Sequence, residues 1–291
     1  MLVFPLKIKE LESFHTYFEV RNGLQSLYEQ NKIIGFVPTM GALHEGHLSL
    51  VREAQKECDY VIVSIFVNPT QFNNTQDLAL YPRQEAKDIA LLESIGTDFV
   101  FIPTVEVIYP PNYQAPSIDL IGLDTVMEGE FRPGHFQGVV NVVSRLFDIV
   151  QPTIAYFGRK DFQQVSIIKH ITKTLNQSVT IREVDTIRNQ DGLALSSRNA
   201  RLSEQELKDA VIISKVLKQG IQWARKFTPQ EVLEYMVSEF NKSKLKLEYI
   251  QIVHPETLKE ITHWVPGATA CIASYCGDVR LIDNMELIPS N

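Results

Sequence analysis

Apolar positions along the chain alternate between two rhythms. Ile33-Ile34-Gly35-Phe36-Val37-Pro38 is a short continuous run, the mark of a strand buried on both faces, stopped here by proline. Residues 60–67 form a second such run, rich in β-branched side chains and closed by Asn68-Pro69, and residues 99–102 form a third. Between them, 46–57 and 83–94 carry the three- and four-residue spacing of amphipathic helices. The same spacing runs through 8–31, where Leu11, Phe14 and Phe18 stand among charges, and predicts a first helix. Further on, 139–150 and 162–175 read as helices, and 154–157 and 179–184 as strands. Alternation of helices with buried strands predicts an α/β fold built on a parallel sheet. The Pro- and Tyr-rich stretch 104–117 has no period and reads as a loop, and 128–138 reads as irregular.

The pattern changes after Arg201. Ser203 with Glu206 three residues later predicts a capping box, followed by helical patterns to about 226 and over 229–243. Strand-like runs then occupy 247–253, 269–273 and 279–282. Helices followed by strands predict a smaller α+β C-terminal domain, dividing the chain into 1–185 and 186–291.

Composition narrows the function classes. The chain has 291 residues, enough to bury a core without disulfides or metals. Asp and Glu outnumber Lys and Arg by 35 to 28, against a broad nucleic-acid-binding face. Cys58, Cys271 and Cys276 make no disulfide framework, and reduced thiols suit a cytoplasmic protein. Cys271 and Cys276 lie in apolar surroundings and read as core packing. The N-terminal residues lack a signal-peptide pattern, and no run nears the roughly 20 apolar residues of a membrane span.

The densest chemical signal is Met40-Gly41-Ala42-Leu43-His44-Glu45-Gly46-His47, between the first buried strand and the next helix. Ligands of open α/β sheets sit at the carboxyl ends of strands, where helix N-termini attract phosphate. Two histidines there can donate to phosphate oxygens as charge builds during nucleotidyl transfer. The alternative is a pair of satisfied histidines in an exposed turn. A second cluster, Gly158-Arg159-Lys160-Asp161 with Gln164, also joins a strand to a helix. Lys160 offers a point charge to phosphate, while Asp161 suits either a ligand or the helix N-cap. Leu195-Ser196-Ser197-Arg198 offers hydroxyls and a guanidinium for a polyphosphate. Asn68 and Gln71, after the second strand, offer amides to a polar substrate.

The histidine motif and the basic, Ser-rich loop resemble those of the nucleotidylyltransferase and class I aminoacyl-tRNA synthetase superfamily. The likeness extends to Pro38–His47, Ser64–Phe72, Tyr81-Pro82-Arg83, Glu130–Phe136, Gly158–Asp161 and Asp191–Asn199, which resemble, in order, the motifs of the pantothenate synthetase family. That resemblance implies ATP-dependent joining of pantoate to β-alanine through an acyl-adenylate, in a cytoplasmic homodimer with a Rossmann-like nucleotide- and pantoate-binding domain and a smaller C-terminal lid. It implies that Met40 to His47, Gly158 to Asp161, Ile187 and Leu195 to Arg198 hold ATP, with His47 the catalytic proton donor. It further implies that Gln71 and Gln164 bind pantoate, with Gln71 also near β-alanine. Some family members have an acidic pair as Mg²⁺ ligands after Tyr-Pro-Arg; here Lys87 precedes Asp88, leaving Asp88 as the carboxylate for the metal. Two rival readings use the same motifs: an adenylyltransferase releasing a stable dinucleotide, and a nucleotide-binding regulatory module.

Overall fold

The computed structural model describes residues 10–73 and 75–290. In chain order its elements are β1 (Glu12–Phe14), α1 (Tyr17–Glu29), β2 (Ile34–Thr39), α2 (Glu45–Glu57), β3 (Tyr60–Ile65), α3 (Thr75–Leu80), α4 (Glu85–Ser94) and β4 (Phe99–Phe101). There follow α5 (Val105–Ile108), α6 (Glu128–Phe131), α7 (His135–Val150), β5 (Ile154–Gly158), α8 (Phe162–Thr174) and β6 (Thr180–Val184). The last elements are α9 (Glu204–Ala210), α10 (Ile212–Trp223), α11 (Pro229–Phe240), β7 (Lys246–Val253), β8 (Thr269–Cys276) and β9 (Val279–Glu286).

Two compact units emerge. The first comprises 1–118, 137–157 and 172–184; the second comprises 119–136, 158–171 and 185–291. The first unit holds a six-stranded sheet ordered β1-β4-β3-β2-β5-β6. The pairs β1–β4, β4–β3, β3–β2 and β2–β5 are parallel, with Val37 opposite Val63 and Val63 opposite Val100. Every residue of β2 except Pro38 is buried, because helices cover a parallel sheet on both faces. Leu48, Val51 and Ala54 of α2 pack on Val37, Val61 and Val63.

The expected helix over 8–31 is corrected. Ile8 and Lys9 lie outside the described residues, residues 12–14 are strand β1, and the helix starts at Tyr17. Leu11 and Phe14 are buried while Phe18 is 72% exposed, so the three do not share a helical face. A capping box of Thr16 and Glu19 sets the true start, and Val20, Leu24 and Leu27 make the buried stripe. Short helices α5 and α6 also occupy stretches that read as loop, and α7 begins four residues before the expected start.

The second unit holds an antiparallel sheet, β7-β8-β9, with α10 and α11 contributing Ile213, Val216, Leu217, Met236 and Phe240 to one core with Ile250 and Ile272. The Ser203–Glu206 capping box forms as expected. Cys271 and Cys276 are buried free thiols. Among the described residues, no helix is long and apolar enough to cross a membrane.

Candidate active site

In the first unit, the chain leaves β2 through a turn in which Gly41 and Ala42 both have positive φ, 76° and 51°. Positive φ disfavours any residue with a Cβ, so Ala42 is held there by its surroundings. The holder is Asp88 in the first turn of α4. Its Oδ2 accepts from the Ala42 N–H at 2.8 Å and its Oδ1 from the Leu43 N–H at 2.7 Å. Burial pushes the Asp88 carboxyl up, against the pull of the two N–H donors.

This turn delivers His44 to the N-cap of α2, where Ser, Thr, Asp or Asn is the usual choice. His44 Nδ1 accepts from the Gly46 N–H at 3.1 Å, and His47 Nδ1 accepts from the His44 N–H at 3.3 Å. The rings lie 4.2 Å apart between centroids. A nitrogen that accepts from the backbone carries no proton, so each neutral ring bears its hydrogen on Nε2. The pair is thus a set of two Nε2–H donors at a helix N-terminus, a place that favours negative charge.

After β3, a 3-10 turn spans Pro69–Gln71. Gln71 is 8% exposed; its Oε1 accepts from Asn68 Nδ2 at 3.0 Å and its Nε2 donates to Met40 Sδ at 3.2 Å. Asn68 also donates to the Gly138 carbonyl at 3.1 Å and accepts from Thr70 and Tyr109 hydroxyls at 2.9 Å each. Both ends of the Asn68 amide are therefore engaged within the protein, one N–H of it on Gln71.

In the second unit, a cleft is lined by Arg132, His135, Lys160, Asp161, Gln164, Tyr249 and Asn284. Lys160 and Asp161 belong to a 3-10 turn over Arg159–Asp161, with Lys160 Nζ 3.9 Å from Asp161 Oδ1. Asn284 Nδ2 donates to the carbonyls of Arg159 and Lys160 at 2.9 Å each, fixing that turn against β9. The Arg159 guanidinium pairs with Glu286. One wall of the cleft rests on a buried charge cluster. Arg280 grips Glu128 with two bonds of 2.7 and 2.8 Å and also meets Glu248, while the Tyr249 hydroxyl donates to Glu128 at 2.9 Å. Burial alone would raise the Glu128 carboxyl, but Arg280, helped by Arg132, lowers it to about 2.

Elsewhere in that unit, the Leu195 N–H bonds to the Ile187 carbonyl at 2.9 Å, and Ser196 Oγ caps the 3-10 turn Ser197–Arg201 by accepting from the Arg198 N–H. The sequence reading missed Glu128, Arg280 and Asn284. The strand-like run expected over 279–282 extends to Glu286, and Asp283 and Asn284 are buried within it.

A fit to Mg²⁺ fails on the protein's own donors. Among the described residues, no three His, Cys, Asp or Glu side chains converge as a metal site. Asp88 is 1% exposed, with both carboxylate oxygens engaged by backbone N–H groups.

The family model for pantoate-beta-alanine ligase matches residues 12–286. The chain belongs to that family. It is 48% identical over 275 residues to the pantothenate synthetase of Phocaeicola vulgatus, covering 93% of this chain and 97% of that one. Its fold matches the crystal structure of pantothenate synthetase from Thermus thermophilus with a TM-score of 0.91 at 40% identity, over 96% of this chain and all of that one. It also matches a pantoate-beta-alanine ligase from Francisella tularensis, solved with beta-gamma ATP and beta-alanine, with a TM-score of 0.81 at 38% identity, over 96% and 98% of the two chains. The chain therefore carries both the sheet and the small antiparallel domain of its relatives.

Proposed function

We propose that this ligase condenses pantoate with β-alanine, driven by ATP, through a pantoyl-adenylate. The observation that carries the reading is the imidazole pair of His44 and His47, whose Nδ1 atoms are both tied to backbone N–H groups at the head of α2. Pantoate's carboxylate is ionised at neutral pH, so its attack on the α-phosphorus needs no general base. What the step needs is alignment and donors for the charge that builds on phosphate. His47 is the catalytic donor in this reading, with His44 beside it. Met40 to His47, Gly158 to Asp161, Ile187 and Leu195 to Arg198 hold the nucleotide. Lys160, Ser196, Ser197 and Arg198 steady the departing pyrophosphate. Gln71 and Gln164 hold pantoate, and Gln71 also faces β-alanine. The amine of β-alanine then attacks the mixed anhydride as its free base, forming the amide and releasing AMP.

The Francisella relative, solved with beta-gamma ATP and beta-alanine, supports ATP and β-alanine as substrates. Because water competes for the adenylate, residues 186–291 act in this reading as a lid that shields it. Mg²⁺ enters with the substrate phosphates, as it commonly does, and no protein carboxylate is assigned to it. The protein works in the cytoplasm as a homodimer, which sedimentation analysis checks directly. The deciding assay follows AMP with all three substrates and with each omitted. AMP formation that needs ATP, pantoate and β-alanine together supports the ligase. Pyrophosphate release without β-alanine that leaves a stable adenylylated product and no AMP sinks it in favour of an adenylyltransferase, and binding without turnover favours a regulatory module.

A further inference from the structure

We propose that Asp88 is a positioning residue, which sets the two imidazoles by gripping the loop before them, and is not a cation ligand. The proposal rests on the adenylate reading above for its catalytic consequence. Its basis is geometry within the first unit. A turn that directs successive backbone N–H groups toward one point makes a concave anion seat. Gly41 and Ala42 form such a turn, and the anion seated there is the protein's own Asp88 carboxylate, one oxygen to each of the Ala42 and Leu43 amides. The fit is close: a Cβ added at Gly41 would stand 3.0 Å from Asp88 Oδ2 and 3.0 Å from Ile65 Cγ2. Asp88 is itself held in α4, its N–H bonded to the Gln84 carbonyl at 2.9 Å. The residue after Leu43 is His44, whose N–H and ring close the cap that includes His47. A shift of the 42–43 backbone therefore moves both rings together. At 1% exposure, with each oxygen already accepting a backbone N–H, this carboxylate is not open to a hydrated cation.

The test compares wild type with Asp88→Asn. The asparagine is nearly isosteric, but its amide nitrogen cannot accept from an N–H, so one of the two grips is lost. Pantoate-dependent exchange between pyrophosphate and ATP is measured across a Mg²⁺ titration, and the ring signals of His44 and His47 are followed by NMR with labelled histidine. The expected result is kcat lower by about 10–100-fold, as for a misplacement of about 1 Å. The pantoate KM and the Mg²⁺ half-saturation stay within twofold, and both ring signals shift. Restoration of kcat by excess Mg²⁺ overturns the proposal, as does a loss of kcat with unmoved ring signals, or no loss at all. If Asp88→Asn does not fold, amide exchange on the wild type decides. Protection of the Ala42 and Leu43 amides supports the grip, and unprotected rates overturn it. Absence of exchange activity in the wild type would instead strike the adenylate reading, while the NMR comparison still judges the positioning.

Discussion

At the scale of single residues, the site is built by denying side chains their freedom. His44 and His47 have their Nδ1 atoms taken by backbone amides, so their tautomers are set before any substrate arrives. Asn68 shares its amide among Gln71, the Gly138 carbonyl and the Thr70 and Tyr109 hydroxyls. Lys160 differs, because its contact with Asp161 is long, at 3.9 Å, and its turn is fixed through main-chain carbonyls. Lys160→Ala is accordingly expected to lose about 10²–10³-fold in adenylate formation. Its thermal stability should change by no more than about 1 kcal/mol, as measured by calorimetry. Near-normal exchange in that variant removes Lys160 from the chemistry. Gln164→Ala should raise the pantoate KM about tenfold, the worth of roughly one good hydrogen bond, with the ATP KM within about twofold. Equal loss for both ligands points to a disturbed cleft instead.

At the scale of elements, what the chain disclosed depended on length and locality. Strands β2 and β3 announced themselves because six apolar-rich residues in a row have no other good use between amphipathic helices. The capping box at Ser203 was equally legible, since its two partners sit three residues apart. β1 was not, because three residues are too few to show a period and Leu11, Phe14 and Phe18 imitate helical spacing. The histidine loop could be located from its neighbours, yet Asp88's part in it could not, as that bond joins residues 46 positions apart. The cleft wall from β9 was hidden for the same reason. Helix α7 shows how closely elements meet: a Cβ at Gly138 would lie 2.4 Å from the Thr70 carbonyl oxygen and 2.7 Å from Gln71 Cα. Gly138→Ala must push the 3-10 turn away, so a destabilisation of about 1–3 kcal/mol is expected by denaturant titration. A weaker affinity for pantoate should accompany it, and an unchanged midpoint would show that the turn yields freely.

At the scale of the whole molecule, the chain passes back and forth between its units, since 119–136 and 158–171 belong with 185–291. What secures the first of these segments is the pairing of Glu128 with Arg280, 152 residues away. Glu128's carboxyl is lower in the folded protein than in the unfolded chain, so its stabilisation is present above the ordinary glutamate range. It is lost as pH falls toward about 2. Arg280→Met leaves that carboxylate buried without its main partner and should lower stability at pH 7 by about 3–5 kcal/mol. The deficit should shrink as acid neutralises Glu128; a deficit that stays constant from pH 7 to 3 contradicts this account of the pair.

The interleaving also bears on how such a protein can be shuffled. A crossover between relatives placed near residue 185 would inherit Glu128 and the Lys160 turn from one parent and Arg280 and Asn284 from the other. Recombinants of that kind should survive only where the parents share both halves of each pair. The late strand β9 and the two early segments are then inherited as one block, whatever their distance along the gene.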